Sequence, residues 1–507
     1  MSIAISYSAQ LVGLNAEPVT VEVDISNGLH AFTVVGLGDR AVGEAKDRVA
    51  AAIKNSGYIS PKQKNQKVVI SLAPADLHKE GPSFDLSMAI AYLAAAGEIK
   101  FDPQEILFIG ELSLEGKLRR TAGVLPILCQ AARRGFKEAI IPRENAGEAS
   151  LARDIRVYSA SSLSEVIRHI SGSERLQETS IQEVDATKRE WAHDLASVRG
   201  NDAAKRGLMI AAAGAHNMIM CGPPGTGKTM LAQSLPSILP PLTYKESVEV
   251  TGIHSAAHAL HDGLIREPPF RSPHHTASYP SIVGGGSFPR PGEITLAHRG
   301  VLFLDEFPEF SHKVIESLRQ PLEERAITIS RARGVVTFPA QCILVAAMNP
   351  CPCGKGKERG CACSLKVLEA YNRRISGPIM DRIDVWANVN KVEHDKLAEK
   401  KPSSITSAQI REQVITARKR QQHRFTSFGI PKSYNSEMSA EDIEKTIYMS
   451  PELRNFLATS AQKLDLSGRA FHRVIKVART VADVMESDHI KKEHLLEALQ
   501  YRQKLTS

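Results

Sequence analysis

The segment HNMIMCGPPGTGKTMLAQSL, residues 216–235, decides the fold of the central part of this chain. It matches the pattern G-x-x-x-x-G-K-[ST] at every fixed position, between an apolar run typical of a strand and a run with helical spacing. Glycines in such a loop let successive backbone N–H groups surround phosphate oxygens at the positive end of the following helix. The segment therefore predicts a nucleotide-binding loop, made of Gly222, Pro223, Pro224, Gly225, Thr226, Gly227, Lys228 and Thr229.

Polar side chains in and after this loop predict chemistry as well as binding. We expect Lys228 to reach the β- and γ-phosphates of ATP, and the Thr229 hydroxyl to bind Mg²⁺. Downstream, the apolar run 301–304 ends in Asp305 and Glu306. A buried parallel strand would deliver Asp305 to the Mg²⁺ ion and Glu306 to the attacking water. The chain is therefore predicted to hydrolyse the nucleotide that it binds.

Two more residues complete this predicted catalytic set. Asn349 follows the apolar run 342–348, and an amide at the end of such a strand can position water near the γ-phosphate. Arg382 lies in the turn SGPIMDRID, residues 376–384. An arginine can neutralise charge on a transferring phosphoryl group, and it is often supplied by a neighbouring molecule. Arg382 is therefore the candidate for a residue that acts in trans.

Length and composition describe a multidomain protein without a membrane segment. The chain has 507 residues, with 42% hydrophobic and 24% charged residues and a formal net charge of +8. This length predicts several domains, and the basic excess is compatible with a polyanionic partner. The sequence has neither a run of 18 apolar residues nor an N-terminal signal-peptide pattern. A cytoplasmic location is predicted.

Patterning divides the chain into an α+β domain at 1–170, a polar linker at 171–195, a βα-alternating core at 196–393 and a helical lid at 394–507. The predicted fold class is thus multidomain α/β, with a P-loop αβα core. Within the first domain the spacing predicts strands over 19–25, 31–37, 67–73, 106–114 and 138–142, and helices over 41–57, 84–98 and 124–135.

Four cysteines lie close together at 351–363, in the pattern C-x-C, seven residues, C-x-C. Four thiolates on a short glycine-rich loop can surround Zn²⁺ tetrahedrally, and the cytosol keeps such thiols reduced. Structural zinc held by Cys351, Cys353, Cys361 and Cys363 is the preferred interpretation. Redox chemistry and incidental thiols remain the alternatives, because C-x-C is tighter than the commoner C-x₂-C spacing.

Longer stretches resemble one family over essentially the whole chain. RSPHHTAS (271–278), the run 283–310, MNPCPCG (348–354) and SGPIMDRID (376–384) resemble the competence-associated ComM/YifB family of magnesium-chelatase-like AAA+ ATPases, which is close to the MCM helicases. The resemblance implies an ATP-dependent hexameric DNA motor that promotes branch migration during natural transformation, with a recombinase as a further partner. His274 and His275 in the first stretch are candidate ligands or phosphate contacts, or a structural pair.

The resemblance also assigns roles to single residues. Asp305 and Glu306 match the Walker B carboxylates, Asn349 matches sensor 1, and Arg382 matches the arginine finger. Arg469 stands where a sensor-2 arginine would begin a lid helix, and Arg473, one helical turn later, is the alternative. The AAA+ core is expected to carry the inserts of MCM and chelatase proteins.

Two of these inserts are the candidate DNA contacts. Residues 325–338 are predicted to form a hairpin with Arg331 and Arg333 near its tip, and in MCM-like motors a hairpin in this place carries basic residues into a central pore. The loop 284–293 resembles the helix-2 insert, with Phe288 and Arg290 as possible pore residues. A solvated hairpin tip and a merely flexible glycine-rich loop are the alternatives.

The N-terminal domain resembles the Lon protease domain, which has a ribosomal S5-type fold. The resemblance is carried by KEGPSFD (79–85) and by residues 108–127. Ser83 stands at the place of the nucleophile in that family, but the activating lysine is missing, since none occurs between LPI (125–127) and Lys137. A serine without its base is a poor nucleophile, so proteolysis is not expected.

Two other functions fit parts of the same pattern. A chelatase-type motor would use the ATPase to drive metal insertion into a tetrapyrrole, and would need separate catalytic subunits. An ATP-gated scaffolding protein would bind nucleotide without turnover, but gating alone needs no water-activating carboxylate such as Glu306. Stimulation of ATP hydrolysis by DNA distinguishes the DNA motor from both.

Overall fold

The computed structural model describes residues 2–181, 193–260, 263–286, 289–331, 334–356, 360–392 and 406–502. The chain forms two compact units. The first consists of Met1–Asp185 and Thr243–Ile265, and the second of Ala186–Leu242 and Arg266–Ser507. A segment from the middle of the chain therefore belongs to the first unit.

The strands of the described residues belong to two larger sheets and to three two-stranded ribbons. In chain order they are β1 Ser2–Val12, β2 Asn15–Asn27, β3 Ala31–Val35, β4 Gln66–Ala73, β5 Ile106–Phe108, β6 Glu111–Leu112, β7 Leu118–Arg119, β8 Glu138–Pro142, β9 Arg156–Ala160, β10 Met218–Cys221, β11 Phe270–Arg271, β12 Gly284–Gly285, β13 Arg290–Pro291, β14 Val301–Leu304, β15 Ala326–Arg331, β16 Gly334–Pro339, β17 Ile343–Met348 and β18 Val385–Asn388.

In sequence, the helices alternate with the strands in both units, and the elements described from 406 to 502 are helical. They are α1 Arg40–Asn55, α2 Asp85–Ala95, α3 Val124–Arg133, α4 Ala146–Ala149, α5 Leu163–Ile170, α6 Asp202–Gly214, α7 Lys228–Ser234, α8 Tyr244–Ala256, α9 Tyr279–Val283, α10 Glu293–Leu296, α11 His312–Ser317, α12 Arg319–Glu324, α13 Leu365–Asn372, α14 Gly377–Met380, α15 Ser407–Ser427, α16 Ala440–Thr446, α17 Pro451–Lys463, α18 Gly468–Val484 and α19 Lys492–Gln500. No helix in the described part of the chain is long and apolar enough to cross a membrane.

The first unit is built on a seven-stranded mixed sheet in the order β3-β4-β2-β1-β5-β8-β9. Alternate residues of its strands enter two separate cores, because successive side chains of a strand point to opposite faces. Phe108 and Ile140 join the core that contains α1 and α2. Their neighbours Leu107 and Ile141 join the core that contains α3. Both faces of the sheet are therefore covered.

The segment 243–265 adds α8 to the α3 face of this unit. A capping box between Thr243 and Glu246 begins the helix. Near its end, the Ser255 hydroxyl donates to Glu148 Oε2 and accepts from the Gly123 amide at 2.9 Å. Burial raises the pKa of Glu148, and the hydrogen bonds from Ser255 and other donors oppose that rise. A buried polar network thus fixes α8 within the first unit.

The second unit contains a five-stranded parallel sheet in the order β11-β14-β17-β10-β18. Every residue of β14 and β17 is buried, as expected for a parallel sheet with both faces covered. Because the strands are parallel, their carboxyl ends meet at one edge, where such sheets bind ligands. The P-loop follows β10, Asp305 and Glu306 follow β14, and Asn349 follows β17.

The C-terminal helices share one hydrophobic core with this sheet. Val414 and Ala417 from α15 and Val474 and Val481 from α18 lie in the same cluster as Leu208 of α6. Polar contacts support the packing, since Gln421 on α15 donates to the Ala213 carbonyl at 3.0 Å. The predicted α/β fold class is confirmed as a mixed α/β architecture, and both larger sheets contain parallel strands. The Lon-like character of the first unit, the lid and the exact domain boundaries remain predictions.

The Ser255 network predicts an unequal response to two matched substitutions in α8. Ser255→Ala should lower the free energy of unfolding by about 1–3 kcal/mol, because it leaves buried partners without their hydrogen bond. Ser247→Ala in the same helix should be nearly neutral, since the buried Ser247 hydroxyl has no hydrogen-bond partner among the described residues. Urea denaturation of the full chain measures both. Equal effects of the two substitutions would contradict a stabilising role for the Ser255 network.

Candidate nucleotide-binding site

The P-loop connects β10 to α7, and close packing explains its glycines. A Cβ atom on Gly222 would lie 2.1 Å from the Val389 carbonyl oxygen, so only glycine fits there. Gly227, which precedes α7, has φ of 88°, in the left-handed region that glycine adopts without strain. The glycines of the motif therefore satisfy two local requirements. Gly222 allows the close backbone approach, and Gly227 allows the left-handed turn into α7.

Lys228 makes three hydrogen bonds at this turn. Its ammonium donates to the carbonyls of Gly222 and Pro223 at 2.6 and 2.8 Å, and to Asn349 Oδ1 at 3.2 Å. Burial, the largest effect, lowers the pKa of Lys228, and the nearby carboxylate of Asp305 opposes this. A phosphate group would offset the lost hydration of the ammonium by supplying negative charge.

Thr229 and Asp305 come together across the edge of the sheet. The Thr229 hydroxyl donates to Asp305 Oδ2 at 2.7 Å, although the two residues are 76 positions apart in the chain. A hydroxyl and a carboxylate are hard oxygen donors, the kind that Mg²⁺ prefers in phosphate-binding sites. This pair therefore fits the predicted Mg²⁺ ligands.

Glu306 takes an uncommon backbone conformation and faces a histidine. Its φ is 51°, a left-handed value that non-glycine residues seldom adopt and that occurs often at functional sites. The Glu306 amide donates to Asp305 Oδ1 at 2.9 Å. His275 Nδ1 lies 3.3 Å from Glu306 Oε2, within hydrogen-bond distance. The Glu306 side chain is about half exposed, at 56%, so water can reach it.

Both the backbone and the side chain of Asn349 make contacts that fix its position. Its strand, β17, lies between β10 and β14, which places the residue between the P-loop and the two carboxylates. The hydroxyl of the buried Tyr371 donates to the Asn349 carbonyl at 3.1 Å. Burial raises the pKa of Tyr371, which keeps the phenol protonated as a donor. Asn349 is thus held through its side chain by Lys228 and through its carbonyl by Tyr371.

The two candidate arginines meet one glutamate. Arg382 is 6% exposed, donates to the Pro378 carbonyl and forms an ion pair with Glu323 on α12. Arg469, whose side chain is 67% exposed, lies 3.8 Å from the same carboxylate. Arg382 therefore has its charge paired within its own chain.

Arg473, the alternative to Arg469, belongs to a buried network instead. It donates to the Arg382 carbonyl at 2.9 Å and pairs with the buried Asp384. His216 Nδ1 lies 3.2 Å from the other oxygen of that carboxylate. Burial alone would raise the pKa of Asp384, but Arg473 and His216 together hold it far below its usual range. This geometry favours a structural role for Arg473.

The four cysteines of 351–363 come together in the second unit. Their Sγ atoms all lie within 4.8 Å of one another. Gly356 donates its amide to Cys351 Sγ at 3.3 Å, and backbone amides also reach Cys353 and Cys361. The amide of Lys355, followed by the Cys351 thiol, lowers the pKa of Cys353 to about 6. The cluster is thus compatible with a tetrathiolate metal site.

The candidate DNA contacts are described only in part. β15 and β16 pair antiparallel with Arg331 opposite Gly334, which confirms the predicted hairpin. Arg333, Phe288 and the side chain of Arg331 lie outside the described residues. Arg290 is exposed and pairs with Gly285 in the β12-β13 ribbon.

Sequence reasoning did not assign the roles of three residues at this edge. The sequence predicts His275 as a ligand, a phosphate contact or part of a structural pair, and no motif predicts a role for Glu323 or Tyr371. Each acts through a contact distant in sequence, so no local spacing reveals it. The stretch RSPHHTAS was the available signal for His275.

Family models match three successive parts of the chain. "Subunit ChlI of Mg-chelatase" matches residues 21–145, "Magnesium chelatase, subunit ChlI" matches 194–397, and "Magnesium chelatase, subunit ChlI C-terminal" matches 404–502. These matches span both compact units and the C-terminal helices.

Full-length relatives resemble the chain more strongly. It is 42% identical over 507 residues to Competence protein ComM of Haemophilus influenzae, covering 99% of this chain and 98% of the relative. It is 41% identical over 506 residues to YifB of Escherichia coli, covering 99% and 97%. A shorter match, 26% over 203 residues, joins 37% of the chain to 20% of DNA replication licensing factor Mcm2 of Drosophila melanogaster.

The contact between His275 and Glu306 predicts that His275 positions this carboxylate for catalysis. His275→Ala should lower kcat for ATP hydrolysis by about 10- to 100-fold, since misplacement of a reacting group carries a cost of this order. The dissociation constant for nucleotide should not change, because Lys228 and the P-loop stay intact.

His274→Ala is the matched control, because His274 bonds to the Thr276 hydroxyl at 2.8 Å and not to Glu306. Steady-state hydrolysis and nucleotide titration measure the two parameters separately. If His275→Ala kept full kcat, or lost it only together with nucleotide binding, the assignment would be wrong.

Proposed function

This chain belongs to the ComM/YifB family of magnesium-chelatase-like AAA+ ATPases, and we propose that it is an ATP-dependent DNA motor that works as a homo-hexamer. Its task would be branch migration or unwinding of DNA that is being integrated during natural transformation or recombination. A recombinase is its expected partner. The full-length similarity to a protein named for competence supports this assignment.

One observation carries the ATPase part of the proposal. Lys228, Thr229, Asp305, Glu306 and Asn349 meet at one sheet edge, although they come from three separate strand ends. A phosphate-binding loop alone would serve a binding protein. Hydrolysis also requires a group that activates water. Glu306 supplies a second carboxylate, exposed to water, in addition to Thr229 and Asp305, the proposed Mg²⁺ ligands. The arrangement therefore favours turnover over simple gating.

Each residue then has a distinct task. Lys228 binds the β- and γ-phosphates through its ammonium, and the P-loop amides surround them. Thr229 and Asp305 would hold Mg²⁺, which neutralises phosphate charge when it is bound. Glu306 accepts a proton from the attacking water, or orients that water, and Asn349 holds it near the γ-phosphate. His275 fixes the Glu306 carboxylate.

Arg382 is proposed to act on the nucleotide of a neighbouring subunit, with Arg469 as a second cationic residue. Both share Glu323 within one chain. To reach a neighbour's γ-phosphate, Arg382 has to exchange the Glu323 carboxylate for phosphate oxygens, which are also anionic. Catalysis in the ring would thereby depend on contact between subunits.

Mixing of two inactive variants tests this arrangement. Arg382→Ala should bind nucleotide normally but lose turnover, and Glu306→Gln should behave alike. Mixed rings contain sites in which an intact Glu306 faces an intact Arg382 from the neighbour, so part of the hydrolysis should return. No recovery in mixtures that assemble as the wild type does would mean that Arg382 does not act in trans.

The DNA part of the proposal rests on the hairpin and on relatives. The β15-β16 hairpin pairs Arg331 with Gly334, and Arg333 stands between the two strands in the sequence. We expect this hairpin to contact DNA, as in MCM-like motors, and the loop with Phe288 and Arg290 is a second candidate. Basic side chains on such elements bind the phosphate backbone without reading sequence. The partial similarity to a DNA replication licensing factor agrees with this.

The magnesium-chelatase names of the family models favour one second candidate. In that alternative the same ATPase drives metal insertion by a separate catalytic subunit. The chain would then hydrolyse ATP without any response to DNA.

Movement of a synthetic DNA junction decides between these functions. The purified full chain should migrate a labelled three- or four-way junction in the presence of ATP and Mg²⁺, resolved on a native gel. Glu306→Gln should bind the junction without moving it, and Arg331→Ala with Arg333→Ala should weaken binding. Robust hydrolysis without junction movement by the wild type would reject the motor and favour the chelatase-type alternative.

A further inference from the structure

We propose that the four-cysteine cluster binds one Zn²⁺ ion, and that this metal loop forms a wall of the nucleotide site, so that nucleotide affinity depends on the bound metal. The inference rests on the proposed nucleotide site and adds its dependence on a second, separate metal. It does not depend on any action on DNA.

The sulfur geometry fits a tetrahedral ion. Cys351 Sγ lies 3.3 Å from Cys353 Sγ and 3.5 Å from Cys361 Sγ, and Cys353 and Cys361 are 3.7 Å apart. Four sulfurs around Zn²⁺ at about 2.3 Å are about 3.8 Å from one another. The fourth thiol, that of Cys363, lies within the same 4.8 Å limit. Zinc would bind all four with only small shifts.

The surrounding backbone supports thiolates. The Gly356 amide donates to Cys351 Sγ, and the Cys361 amide in turn donates to the Gly356 carbonyl at 3.2 Å. Such hydrogen bonds orient metal ligands and stabilise their negative charge. Cys351 itself is 1% exposed, which places one ligand in the interior of the unit. The donor set, four sulfurs without oxygen, is one that selects zinc over Mg²⁺.

The same loop touches the P-loop directly. Gly354 has φ of 76°, and a Cβ atom there would lie 2.8 Å from Cδ of Pro224 in the P-loop. Gly354 is also tied to the cluster, because its amide donates to the Cys351 carbonyl at 2.9 Å. The Pro224 ring therefore lies close to a residue that stands between two predicted metal ligands.

The loop is also fixed to the catalytic edge. It begins two residues after Asn349, which contacts Lys228, and the Asn349 carbonyl accepts the Tyr371 hydroxyl from the helix that follows the loop. A metal that closes the loop at 351–363 restricts the chain between these two attachments, in the way that metal binding generally couples to local folding. Loss of the metal would then loosen both Pro224 and Asn349.

The experiment compares nucleotide binding with and without the metal. Metal analysis of the purified full chain should give one zinc per chain. Removal by a zinc-selective chelator should raise the dissociation constant of a fluorescent ATP analogue about tenfold, and added Zn²⁺ should restore it. Circular dichroism checks that the stripped protein is still folded. Absence of zinc, iron in its place, disulfides between these cysteines, or unchanged affinity after stripping would each overturn the proposal.

A glycine pair separates the contact with Pro224 from metal binding itself. Gly354→Ala keeps all four cysteines but adds the Cβ that meets Pro224, so it should weaken nucleotide binding while zinc stays at one per chain. Gly360→Ala is the matched control, since Gly360 has φ of 71° in the same loop and its Cβ position meets no atom of the described residues beyond its chain neighbours within 4 Å. Equal nucleotide affinities in the two variants would overturn the Pro224 contact. Failure of junction migration with intact zinc and nucleotide binding would reject only the DNA motor.

Discussion

The nucleotide site of the second unit is organised around the buried ammonium of Lys228. Its bonds to two P-loop carbonyls and to Asn349 connect the loops that follow β10 and β17, and Asp305 beside it follows β14. A buried ammonium is stable only where acceptors surround it. The order of the parallel strands supplies those acceptors, because it puts the strand that carries Asn349 between the other two. The fold thus creates the electrostatic conditions that a polyphosphate needs.

A second network connects this edge with the C-terminal helices. Asp384, just before β18, pairs with Arg473 on α18, while His216, just before β10, contacts both Asp384 and the Thr480 hydroxyl. The Arg382 carbonyl accepts from Arg473 in the same network. Because buried charges cost free energy unless they are paired, breaking these contacts would be unfavourable, and the residues of the network are held in place. The backbone of Arg382, the candidate arginine finger, is therefore held by this network.

Local patterns predicted much of this site, because the chemistry of a phosphate loop is itself local. The glycines of the P-loop, and the carboxylates that follow an apolar run, form patterns within short stretches of sequence. The strand predicted over 106–114 is instead two short strands, because the Gly110 amide leaves the sheet to donate to the Ser83 carbonyl. The membership of α8 in the first unit and the contact of His275 with Glu306 are long-range, and patterning does not encode them. β1, Ser2–Val12, is a strand of the structure that lies outside the predicted strands.

Steady-state ATP hydrolysis by the purified full chain, measured with and without a four-way DNA junction, tests the central claim most directly. The account predicts Mg²⁺-dependent hydrolysis that the junction stimulates and that declines as salt weakens phosphate contacts. Hydrolysis at the same rate with and without DNA would contradict a DNA motor, and no hydrolysis under either condition would contradict the catalytic site itself.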